Sequence, residues 1–494
     1  MSELQFQITF GLFIAALLAI GLYYFFTTEM KRLSEYMLAD RDVGTVPIAI
    51  SEVTAVASGW TFFAWVGVGF TVGMSGLWFS ITMVLIVLFL YRFVAPTFRR
   101  TSEDIGSQTV VDHLSTTFGE HPLGPAIRIV ATFTIVVFLM SYIGAQIIAI
   151  GEAMDVALGI PYTTAILIGG IAVAFYTTLG GFNASVMAHL LMGSLVIVAA
   201  ILLPIGMIME IGGWSAFVTE TQATDPTLLS MTGGSAGTAL AIAALAWITF
   251  AFGAIGQPHG LMRFQAIRSE KIISAASVIA VTFQSLRLTV PLIIGAAGRV
   301  LYDEGGILYT GTEIYHENVA MHAIIDIFPP WLAGLLLAGI IGAILSTSDS
   351  MMIVTSADVT RFYEERINPK ATETELILFG RGVVITAAVI GIALAYVRPG
   401  TIFEIIEFAF VGLGVSLGMP LAALVIWEKT TAEGVFATII VGLVGTIGNL
   451  YLFPEYFPIL VWPVAIPVLI LVSLWTYDKD REFEEERTVI TDAD

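Results

Sequence analysis

A run of polar residues lies in the middle of an apolar segment, 331–358, that is long enough to cross a bilayer. The run consists of Ser346, Thr347, Ser348, Asp349 and Ser350. Polar groups at such depth are unfavourable and typically mark an ion or solute pathway. On a helix, one stripe carries four residues at the spacing i, i+3, i+4 and i+7: Ala343, Ser346, Thr347 and Ser350. Their hydroxyl and carbonyl oxygens suit a small cation, although Ser and Thr in membrane helices also bond back to the i−4 carbonyl or join two helices.

The composition indicates the class of protein. The 494 residues are 57% hydrophobic and 12% charged, and their mean hydropathy is +0.89. Such a chain is a polytopic helical membrane protein with room for about a dozen spans of roughly 20 residues. The first apolar stretch, 5–26, follows no basic region and is longer than a signal-peptide core, so we expect it to remain as a membrane helix. The absence of cysteine excludes disulfides, thiol catalysis and thiolate metal sites.

The net charge of −19 is unusual for a protein whose lipid-facing surface carries few charges. The acidic residues concentrate in connections and in the tail 478–494, with a run of Glu482, Glu484, Glu485 and Glu486. Strongly acidic solvated surfaces are typical of salt-adapted proteins, so we expect a halophilic source. A merely acidic tail is the alternative explanation. Under either explanation, binding to nucleic acid is disfavoured.

Thirteen membrane spans are predicted from the apolar segments. They are 5–26, 46–73, 76–96, 126–150, 161–179, 184–210, 237–256, 272–299, 331–358, 375–397, 401–427, 432–452 and 458–476. An odd number places the two termini on opposite sides of the membrane. Lys and Arg concentrate at connections of one parity, so the positive-inside rule puts the amino terminus outside and the carboxyl terminus in the cytoplasm of a multi-pass cell-membrane protein.

Two of the spans have the sequence of interrupted helices. The span 46–73 contains Ser58 and Gly59 ahead of a glycine-rich exit, and the span 237–256 runs into a Gly-Gln-Pro sequence. Broken membrane helices free backbone groups, which is tolerated only where they line a cavity or bind something. Breaks at corresponding places in two halves of a chain indicate the central site of a transporter. Close packing at the glycines alone is the alternative explanation.

The predicted organisation follows from these spans and breaks. Its parts are a first transmembrane helix and cytoplasmic loop (1–45), a first five-helix repeat (46–210), an extracellular loop (211–236), a second five-helix repeat (237–427), two additional transmembrane helices (428–477) and an acidic cytoplasmic tail (478–494). The long outer loops, 211–236 and 300–330, carry Pro, Gly and acidic residues. We expect them to form short amphipathic elements or a lid.

Three sequence blocks resemble signature regions of one transporter family. They are FYTTLGGFNA at 175–184, GQPHGLMRFQAIRS at 256–269 and AILSTSDSMMIVTSADVTRFY at 343–363. Together, and in this order, they resemble the sodium/solute symporter family, in particular its proline and pantothenate branch. The resemblance implies an all-α polytopic membrane protein of about thirteen transmembrane helices with a LeuT-like core of two inverted five-helix repeats. It also implies sodium-coupled import of a small organic solute by alternating access.

The principal sodium site of that family can be carried over residue by residue. It combines backbone oxygens of the first broken helix with a carbonyl and two hydroxyls of the polar helix: Thr54, Ala57, Ala343, Ser346 and Thr347. Five neutral oxygens replace part of a sodium hydration shell without the charge that a divalent ion demands. The resemblance therefore implies sodium as the co-transported ion.

The chain departs from the proline transporters of this family at several positions. Val56 stands where they carry an aspartate before Ser-Gly-Trp, and His189 stands where they carry another after Gly-Gly-Phe. Phe250 and Ala254 occupy the places of an aromatic pair. These departures argue against a direct transfer of proline as the solute and against a second sodium ion near His189. Asp349 either supplies the missing carboxylate or pairs with a neighbouring hydroxyl, and with His189 it is a candidate for a role in coupling.

Solute contacts are expected from the unwound parts of both broken helices and from the facing span 126–150. The candidates are Ser58, Trp60, Tyr142, Gln146, Trp247, Phe250 and Gln257. Aromatic and apolar walls with a few polar groups are typical of small-solute pockets, although many membrane aromatics serve only packing. Arg287, deep in the span 272–299, is a candidate anchor for a solute carboxylate. Snorkelling or pairing with an acidic residue is the alternative role for this arginine.

The function predicted from these features is sodium-coupled symport of a small organic solute: an amino acid such as proline, a monocarboxylate or a pantothenate-like acid. Sugars rank lower, because their hydroxyls need more polar side chains than these spans provide. A proton-coupled symporter of the same fold and a non-transporting membrane solute sensor are the alternatives. An enzyme is disfavoured, since the six histidines lack a metal-binding spacing. The expected partners are the solute, sodium and the lipid bilayer, and the sequence leaves the oligomeric state open.

Overall fold

The computed structural model of the protein describes residues 2–27, 32–302, 315–452 and 458–491. These residues form helices and turns, with one isolated parallel bridge between Val43 and Ile267 and no strand among them. The first ten helices are α1 (Ser2–Thr27), α2 (Leu33–Leu38), α3 (Thr45–Val56), α4 (Trp65–Thr71), α5 (Leu77–Phe89), α6 (Ala95–Asp104), α7 (Val110–Thr117), α8 (Gly124–Leu158), α9 (Tyr162–Ile211) and α10 (Trp214–Thr224). The others are α11 (Gly237–Ala251), α12 (Pro258–Ala266), α13 (Ile273–Tyr302), α14 (Val319–Ile327), α15 (Pro330–Arg366), α16 (Glu373–Val397), α17 (Ile402–Leu413), α18 (Met419–Ile426), α19 (Ala432–Leu452) and α20 (Trp462–Thr491). Part of the predicted outer loop (303–314) and the last three residues of the predicted tail lie outside the described residues.

Eleven helical segments of the described chain are long and apolar enough to cross a membrane, judged by length and composition. Two of them, Tyr162–Leu179 and Gly181–Ile211, are the parts of α9 on either side of a non-helical break at Gly181. The pair Thr45–Val56 and Trp60–Thr71 is bent by 59° and adds a twelfth span if it crosses as one unit. Of the thirteen predicted spans, at most twelve are confirmed. The span expected at 458–476 begins with a 3₁₀ turn, which leaves the shorter apolar helix Trp462–Asp478. The helix then continues to Thr491, so the predicted acidic tail begins inside α20.

Two membrane helices are interrupted, as the sequence predicts. α3 ends at Val56, and the chain becomes helical again in a π-helical turn at Trp60–Ala64. α11 passes through a 3₁₀ turn at Phe252–Gly256, and Gln257 is extended before Pro258 begins α12. Proline is favoured in the first turn of a helix because no amide hydrogen is needed there. The Gln-Pro sequence therefore determines where α12 starts.

α15 lies in the interior of the bundle. It packs against α9, α1, α8, α16 and α3, and every residue from Leu336 to Asp358 is buried. A Cβ on Gly339 would lie 2.6 Å from the carbonyl oxygen of Leu195 in α9, so the two backbones meet directly at this glycine. This close packing places the polar run of α15 in a dry interior, facing the break in α3.

The second break packs against a π-helical segment of a neighbouring helix. α17 continues through the π-helical stretch Gly414–Gly418 into α18. A Cβ on Gly256 would overlap the carbonyl oxygen of Leu413, and a Cβ on Gly418 would overlap the Cα of Gly256. The two backbones therefore touch with no side chain between them, which requires glycine at both positions.

Candidate functional site

The break after α3 is stabilised by α8. The amide of Gly59 donates a hydrogen bond to Oε1 of Gln146 in α8 (2.8 Å). The amide of Trp60 donates to Oγ of Ser58 (3.1 Å). A Cβ on Gly59 would lie 2.6 Å from the Cβ of Ala149, so this approach of the two helices requires glycine. The freed amides are thus satisfied inside the protein, as a stable interruption at membrane depth requires.

The predicted sodium ligands meet beside this break, and we call them the oxygen cluster: Thr54, Ala57, Ala343, Ser346 and Thr347. Oγ of Ser346 lies 2.9 Å from the carbonyl oxygen of Thr54 and 2.8 Å from that of Ala343. The Thr347 hydroxyl donates to the same Ala343 carbonyl (3.1 Å). Ala57 joins the group through its amide, which donates to the Thr54 carbonyl (3.1 Å). All five residues are buried, and the oxygens of the cluster carry no formal charge.

The oxygen cluster can exchange its hydrogen bonds for a cation. The Ser346 and Thr347 hydroxyls donate their hydrogens to carbonyls and keep the lone pairs on their own oxygens. When these hydrogens rotate, the two hydroxyl oxygens become further acceptors that can face a cation. Oγ1 of Thr54 is buried and has no hydrogen-bond partner among the residues that the structure describes. Neutral carbonyl and hydroxyl oxygens match a monovalent ion, whose hydration shell they replace. A divalent ion would be expected to recruit carboxylates.

A second polar group, the His189 cluster, lies between α3, α9, α12 and α15. Its members are Ser51, His189, Arg263, Asp349 and Ser350. Nε2 of His189 lies 3.1 Å from Oδ1 of Asp349, and Nδ1 lies 2.9 Å from Oγ of Ser51. Arg263 donates to Oγ of Ser350 (2.7 Å) and to Oγ of Ser51 (3.2 Å). The structure therefore brings the two coupling candidates into contact, and it adds the buried Arg263, which the sequence analysis does not select.

A central cavity lies on another face of α3 from the oxygen cluster. Its polar lining residues are Glu52, Tyr142, Gln257, His259, Gln284 and Arg287, and its aromatic ones are Trp60, Phe79, Phe250, Phe264 and Phe410. The cavity has a volume of about 40 Å³, on a measure in which one water occupies roughly 10–15 Å³. It therefore has room for a few waters, or for a solute of a few heavy atoms, without movement of its walls.

Two opposite charges line this cavity. Oε2 of Glu52 accepts a hydrogen bond from the Tyr91 hydroxyl (3.2 Å). Nη1 of Arg287 donates to the Val56 carbonyl (3.0 Å) and to the Thr61 hydroxyl (2.9 Å), which fixes the guanidinium against the break of α3. Both charged residues are buried. A carboxylate and a guanidinium in one small cavity can bind the two opposite charges of a zwitterion.

The structure places the predicted solute contacts in two groups. The candidates that line the central cavity are Trp60, Tyr142, Phe250, Gln257 and Arg287. Ser58 and Gln146 instead hold the break of α3 through the hydrogen bonds described above. Trp247 packs behind the cavity, with its ring 5.5 Å from that of Trp65. These three residues support the cavity walls and are not among the lining residues.

Gln257 presents an acceptor to the cavity at the second break. Its Nε2 donates to the carbonyl oxygens of Gly253 (2.8 Å) and Phe410 (3.2 Å). Its Oε1 is buried and has no hydrogen-bond partner within the described part of the chain. Because both hydrogen bonds use the amide nitrogen, the amide oxygen keeps its capacity to accept a hydrogen bond.

Glu52 is a carboxylate of the central cavity that the sequence analysis does not select. There, Val56 is interpreted as the loss of an acidic residue from the first broken helix. Glu52 lies four residues earlier, so the two side chains share one face of α3, and both line the central cavity. The i, i+4 spacing is the signal that could have located this carboxylate. Asp349, the residue considered as its replacement, lies in the His189 cluster instead.

Charged networks close the bundle at both ends of α8. At the amino-terminal end, Arg128 lies 3.3 Å from Asp112 of α7 and 3.4 Å from Glu365 of α15. At the carboxyl-terminal end, Glu152 pairs with Arg398, which follows α16 (2.6 Å). The Arg128 and Asp112 side chains are almost fully buried. The central cavity therefore lies between two ends that are held together by ion pairs.

A connecting segment docks on the second of these ends. Glu317, in the 3₁₀ turn Tyr315–Asn318, accepts hydrogen bonds from the amides of Ile402 (3.3 Å) and Phe403 (3.1 Å) at the start of α17. Burial raises the pKa of this carboxyl to about 7, although the two amide bonds lower it. Together with α14, this turn forms the short helical part of the outer loop that the sequence predicts at 300–330, and α10 does so for the loop 211–236.

Comparison with sequence families gives a match over most of the chain. A family described as the sodium:solute symporter family matches residues 36–442. The high-affinity proline transporter PutP of Bacillus subtilis (strain 168) is 30% identical over 438 residues, which cover 86% of this chain and 88% of the relative. The sodium/proline symporter of Escherichia coli (strain K12) is 28% identical over 437 residues, which cover 88% of this chain and 86% of the relative.

Solved structures share the fold at low sequence identity. A structure described as the substrate-bound outward-open state of a Na⁺-coupled sialic acid symporter matches with a TM-score of 0.77 at 15% identity, over 96% of this chain and 98% of the other. Mhp1, a nucleobase-cation-symport-1 family transporter in a closed conformation with bromovinylhydantoin bound, matches with a TM-score of 0.54 at 13% identity, over 90% of this chain and 95% of the other. These likenesses confirm the predicted LeuT-like all-α fold.

Proposed function

The chain belongs to the sodium:solute symporter family and is a sodium-coupled solute symporter, and we propose that it imports a small zwitterion bound between Glu52 and Arg287. Sodium is the co-transported ion, and the family and the relatives are transporters rather than enzymes. The observation that carries the proposal is the pair of opposite charges in one small buried cavity. An amino acid such as proline has the required charges, and its binding requires the walls of this small cavity to move apart.

Recognition of the solute follows from the chemistry of the cavity. Arg287 binds the solute carboxylate, because a guanidinium donates parallel hydrogen bonds to a carboxylate. Glu52 binds the positively charged nitrogen, and Oε1 of Gln257 accepts a further hydrogen bond from it. Trp60 and Phe250 cover the apolar part of the solute. A monocarboxylate or a pantothenate-like acid would add a second negative charge to the cavity beside the buried Glu52 without a positive charge of its own, which is unfavourable, so these solutes rank below a zwitterion.

The sodium ion of this proposal binds at the oxygen cluster. The assignment is supported by the neutral oxygens that α3 and α15 bring together, and by the 2.9 Å contact between Ser346 and Thr54. Thr54 and Glu52 lie on two faces of the same short helix, which ends at the break. Sodium on one face therefore orders the helix that supplies the solute carboxylate ligand on the other. This arrangement couples ion binding to solute binding.

The transport cycle of this proposal alternates between the two ends of α8. With the amino terminus outside and the carboxyl terminus in the cytoplasm, the Glu152–Arg398 pair faces outward and the Arg128 network faces inward. The five-helix repeats 46–210 and 237–427 each supply one broken helix, and the first helix and the last two lie outside the repeats. Opening of the outer network admits sodium and solute, and opening of the inner network releases them.

Solute-stimulated sodium uptake into proteoliposomes tests this function with a set of matched probes. They are L-proline, cyclopentanecarboxylate, which lacks the nitrogen, and pyrrolidine, which lacks the carboxylate. We expect proline to stimulate uptake of radioactive sodium and each analogue to reach roughly one tenth of that rate or less, since each leaves one buried charge unpaired. Other small amino acids and betaines are then compared with their own matched analogues.

The alternative functions give different results in the same vesicles. Equal stimulation by cyclopentanecarboxylate would identify a monocarboxylate transporter and contradict the role of Glu52. Solute uptake driven by a pH gradient in sodium-free buffer would indicate proton coupling. Saturable binding of a solute with no flux of sodium or solute would indicate a sensor. Either of the last two results contradicts sodium symport.

A further inference from the structure

A second cavity lies at the carboxyl-terminal end of α8, separate from the central one. Its walls come from α8, α16, α17, α19 and the turn before α17, and its volume is about 460 Å³ on the same measure as above. The residues that line it are different from those that line the central cavity. The transport function proposed above makes no use of this cavity.

Glu407 lies at the buried end of the second cavity. Its side chain belongs to a residue that is 8% exposed, and Oε1 has no hydrogen-bond partner in the described ranges of the chain. Glu404, three residues earlier on the same helix, lines the exposed mouth. A buried carboxylate with an unpaired oxygen is unfavourable unless a cation accompanies it or it is protonated. The large cavity beside Glu407 offers the space for such a cation.

The walls of the second cavity determine the kind of cation. Ile148, Leu394 and Phe408 form an apolar surface beside the carboxylate. A metal ion is disfavoured, because the described residues contain no group of three His, Cys, Asp or Glu side chains that could hold one. A carboxylate at the end of an apolar cavity instead fits an alkylammonium, whose nitrogen binds the carboxylate while its carbon atoms contact the walls.

We propose that the second cavity is a binding site for a small organic cation, with its ammonium group on Glu407 and its apolar part against α8 and α16. The ammonium group can belong to a free amine or to the headgroup of phosphatidylethanolamine. Both sources share the chemistry that the cavity recognises. Glu404 at the mouth attracts the same charge and guides it toward Glu407.

Thermal unfolding of the full-length protein in detergent, titrated with n-butylammonium, tests this site. We expect a saturable rise of the unfolding temperature in the wild type and no comparable rise with 1-butanol, which has the same carbon chain without the charge. Glu407→Gln is expected to weaken the apparent affinity for butylammonium by at least about tenfold, the loss of one charge-assisted hydrogen bond in a water-poor site. Glu52→Gln in the central cavity should leave this affinity unchanged.

Several results would overturn the proposal. One is an equal rise of the unfolding temperature with butylammonium and with 1-butanol. Another is an equal effect of butylammonium on the wild type and on Glu407→Gln. A third is a loss of butylammonium affinity in Glu52→Gln alone, which would place the amine in the central cavity. If Glu407→Gln is not recovered folded, Glu404→Gln replaces it, because a glutamine can still accept the hydrogen bond from the Thr401 amide at the start of α17 while it lacks the charge that attracts the ligand. An unchanged affinity in Glu404→Gln would overturn the proposal equally.

Lipid nanodiscs distinguish the two sources of the ammonium group. Phosphatidylethanolamine in the nanodisc will weaken the butylammonium titration, relative to phosphatidylcholine, which has the same net charge but no N–H group, if the ethanolamine headgroup occupies the site. Equal titrations in the two lipids identify a free amine as the ligand. Both results require the Glu407-dependent binding described above. Each result therefore supports the site and identifies the source of the ammonium group that binds there.

Discussion

The hydroxyl oxygen of Ser346 lies 2.9 Å from the backbone carbonyl oxygen of Thr54. This contact joins the polar run of α15 to the last turn of α3, immediately before the break. Another face of α3 carries Glu52 into the central cavity. A ligand shifts a conformational equilibrium only by its difference in affinity for the two states. With sodium at the oxygen cluster and solute at Glu52, as proposed, both ligands act on the same short helix, and coupling between them requires that the position of α3 differs between those states.

Ser346→Ala and Thr347→Ala are expected to raise the sodium concentration for half-maximal uptake. Each removes one oxygen from a dry site, a loss on the order of 1–3 kcal/mol, or roughly tenfold in apparent affinity. The control is Ser348→Ala, since the Ser348 hydroxyl bonds to the Ile344 carbonyl of its own helix (2.8 Å). Sodium titration of uptake in vesicles measures the effect. Wild-type sodium dependence in both test variants would show that the ion binds elsewhere.

Glu52→Gln is expected to reduce the preference for a zwitterion over its matched carboxylate. The amide keeps the size of the side chain and its bond to Tyr91 but loses the charge that binds the solute nitrogen, a change of roughly tenfold or more in selectivity. Competition of proline and cyclopentanecarboxylate in the uptake assay measures it. The matched control is Met83→Leu, which changes an uncharged lining residue of the same cavity. Unaltered selectivity in Glu52→Gln would remove this residue from solute recognition.

Docking of the segment 315–327 on α17 is expected to weaken as the pH rises. Burial raises the pKa of Glu317 from 4.5 to about 7 in the folded protein, a net value that already includes the lowering by the Phe403 and Ile402 amides and the smaller opposing effects of Glu152 and Arg398. The folded state thus binds the proton more tightly, so this contribution to stability is complete below about pH 4.5 and is lost as the pH rises through about 7. Hydrogen exchange of the segment 315–327 at about pH 5.5 and about pH 8, corrected for intrinsic rates, measures the docking.

Glu317→Gln provides the control for this pH dependence. The glutamine cannot ionise, so its exchange protection should be the same at both pH values after correction. A pH step of the same size in the variant would assign the effect to another group. No step in the wild type would show that ionisation of Glu317 does not govern docking of the loop.

Arg128→Met is expected to destabilise the protein by about 3–5 kcal/mol, the usual result of leaving a buried ion-pair partner uncompensated. Arg128 and its partner Asp112 are 0% and 1% exposed. Arg268→Met is the control, because Arg268 and Asp42 are 62% and 71% exposed and an exposed pair contributes about 0–1 kcal/mol. Unfolding temperatures in detergent compare the two variants. Equal small changes would contradict a structural role for the buried network.

Local sequence signals predicted the features that depend on local structure. Ser58-Gly59 within an apolar span indicated the break after α3, and the Gln-Pro sequence at Gln257 indicated the second one. The polar run around Ser346 indicated the face of α15 that meets the first break. Each of these signals acts through the backbone or through residues adjacent in the sequence, so it does not depend on how the helices pack.

Features that depend on packing between helices were not predictable in the same way. Arg263 follows a break in the sequence, and only the packing of α12 against α3 and α15 places its guanidinium on Ser350. The carboxylate of the central cavity comes from Glu52, because the rotation of α3 decides which of its polar residues faces inward. The last predicted span, 458–476, is shortened by a 3₁₀ turn that hydropathy does not detect.

The glycine contact between Gly256 and Gly418 determines which wall of the central cavity can move. Because the two backbones touch, one cannot rotate against the other without a clash, so the second break and α17 must travel as a single piece. The hydrogen bond from Gln257 to the Phe410 carbonyl joins them again within the cavity wall. We therefore expect this half of the cavity to keep its shape through the proposed transport cycle. In that cycle, release of the solute depends on displacement of the other half, which α3 supplies.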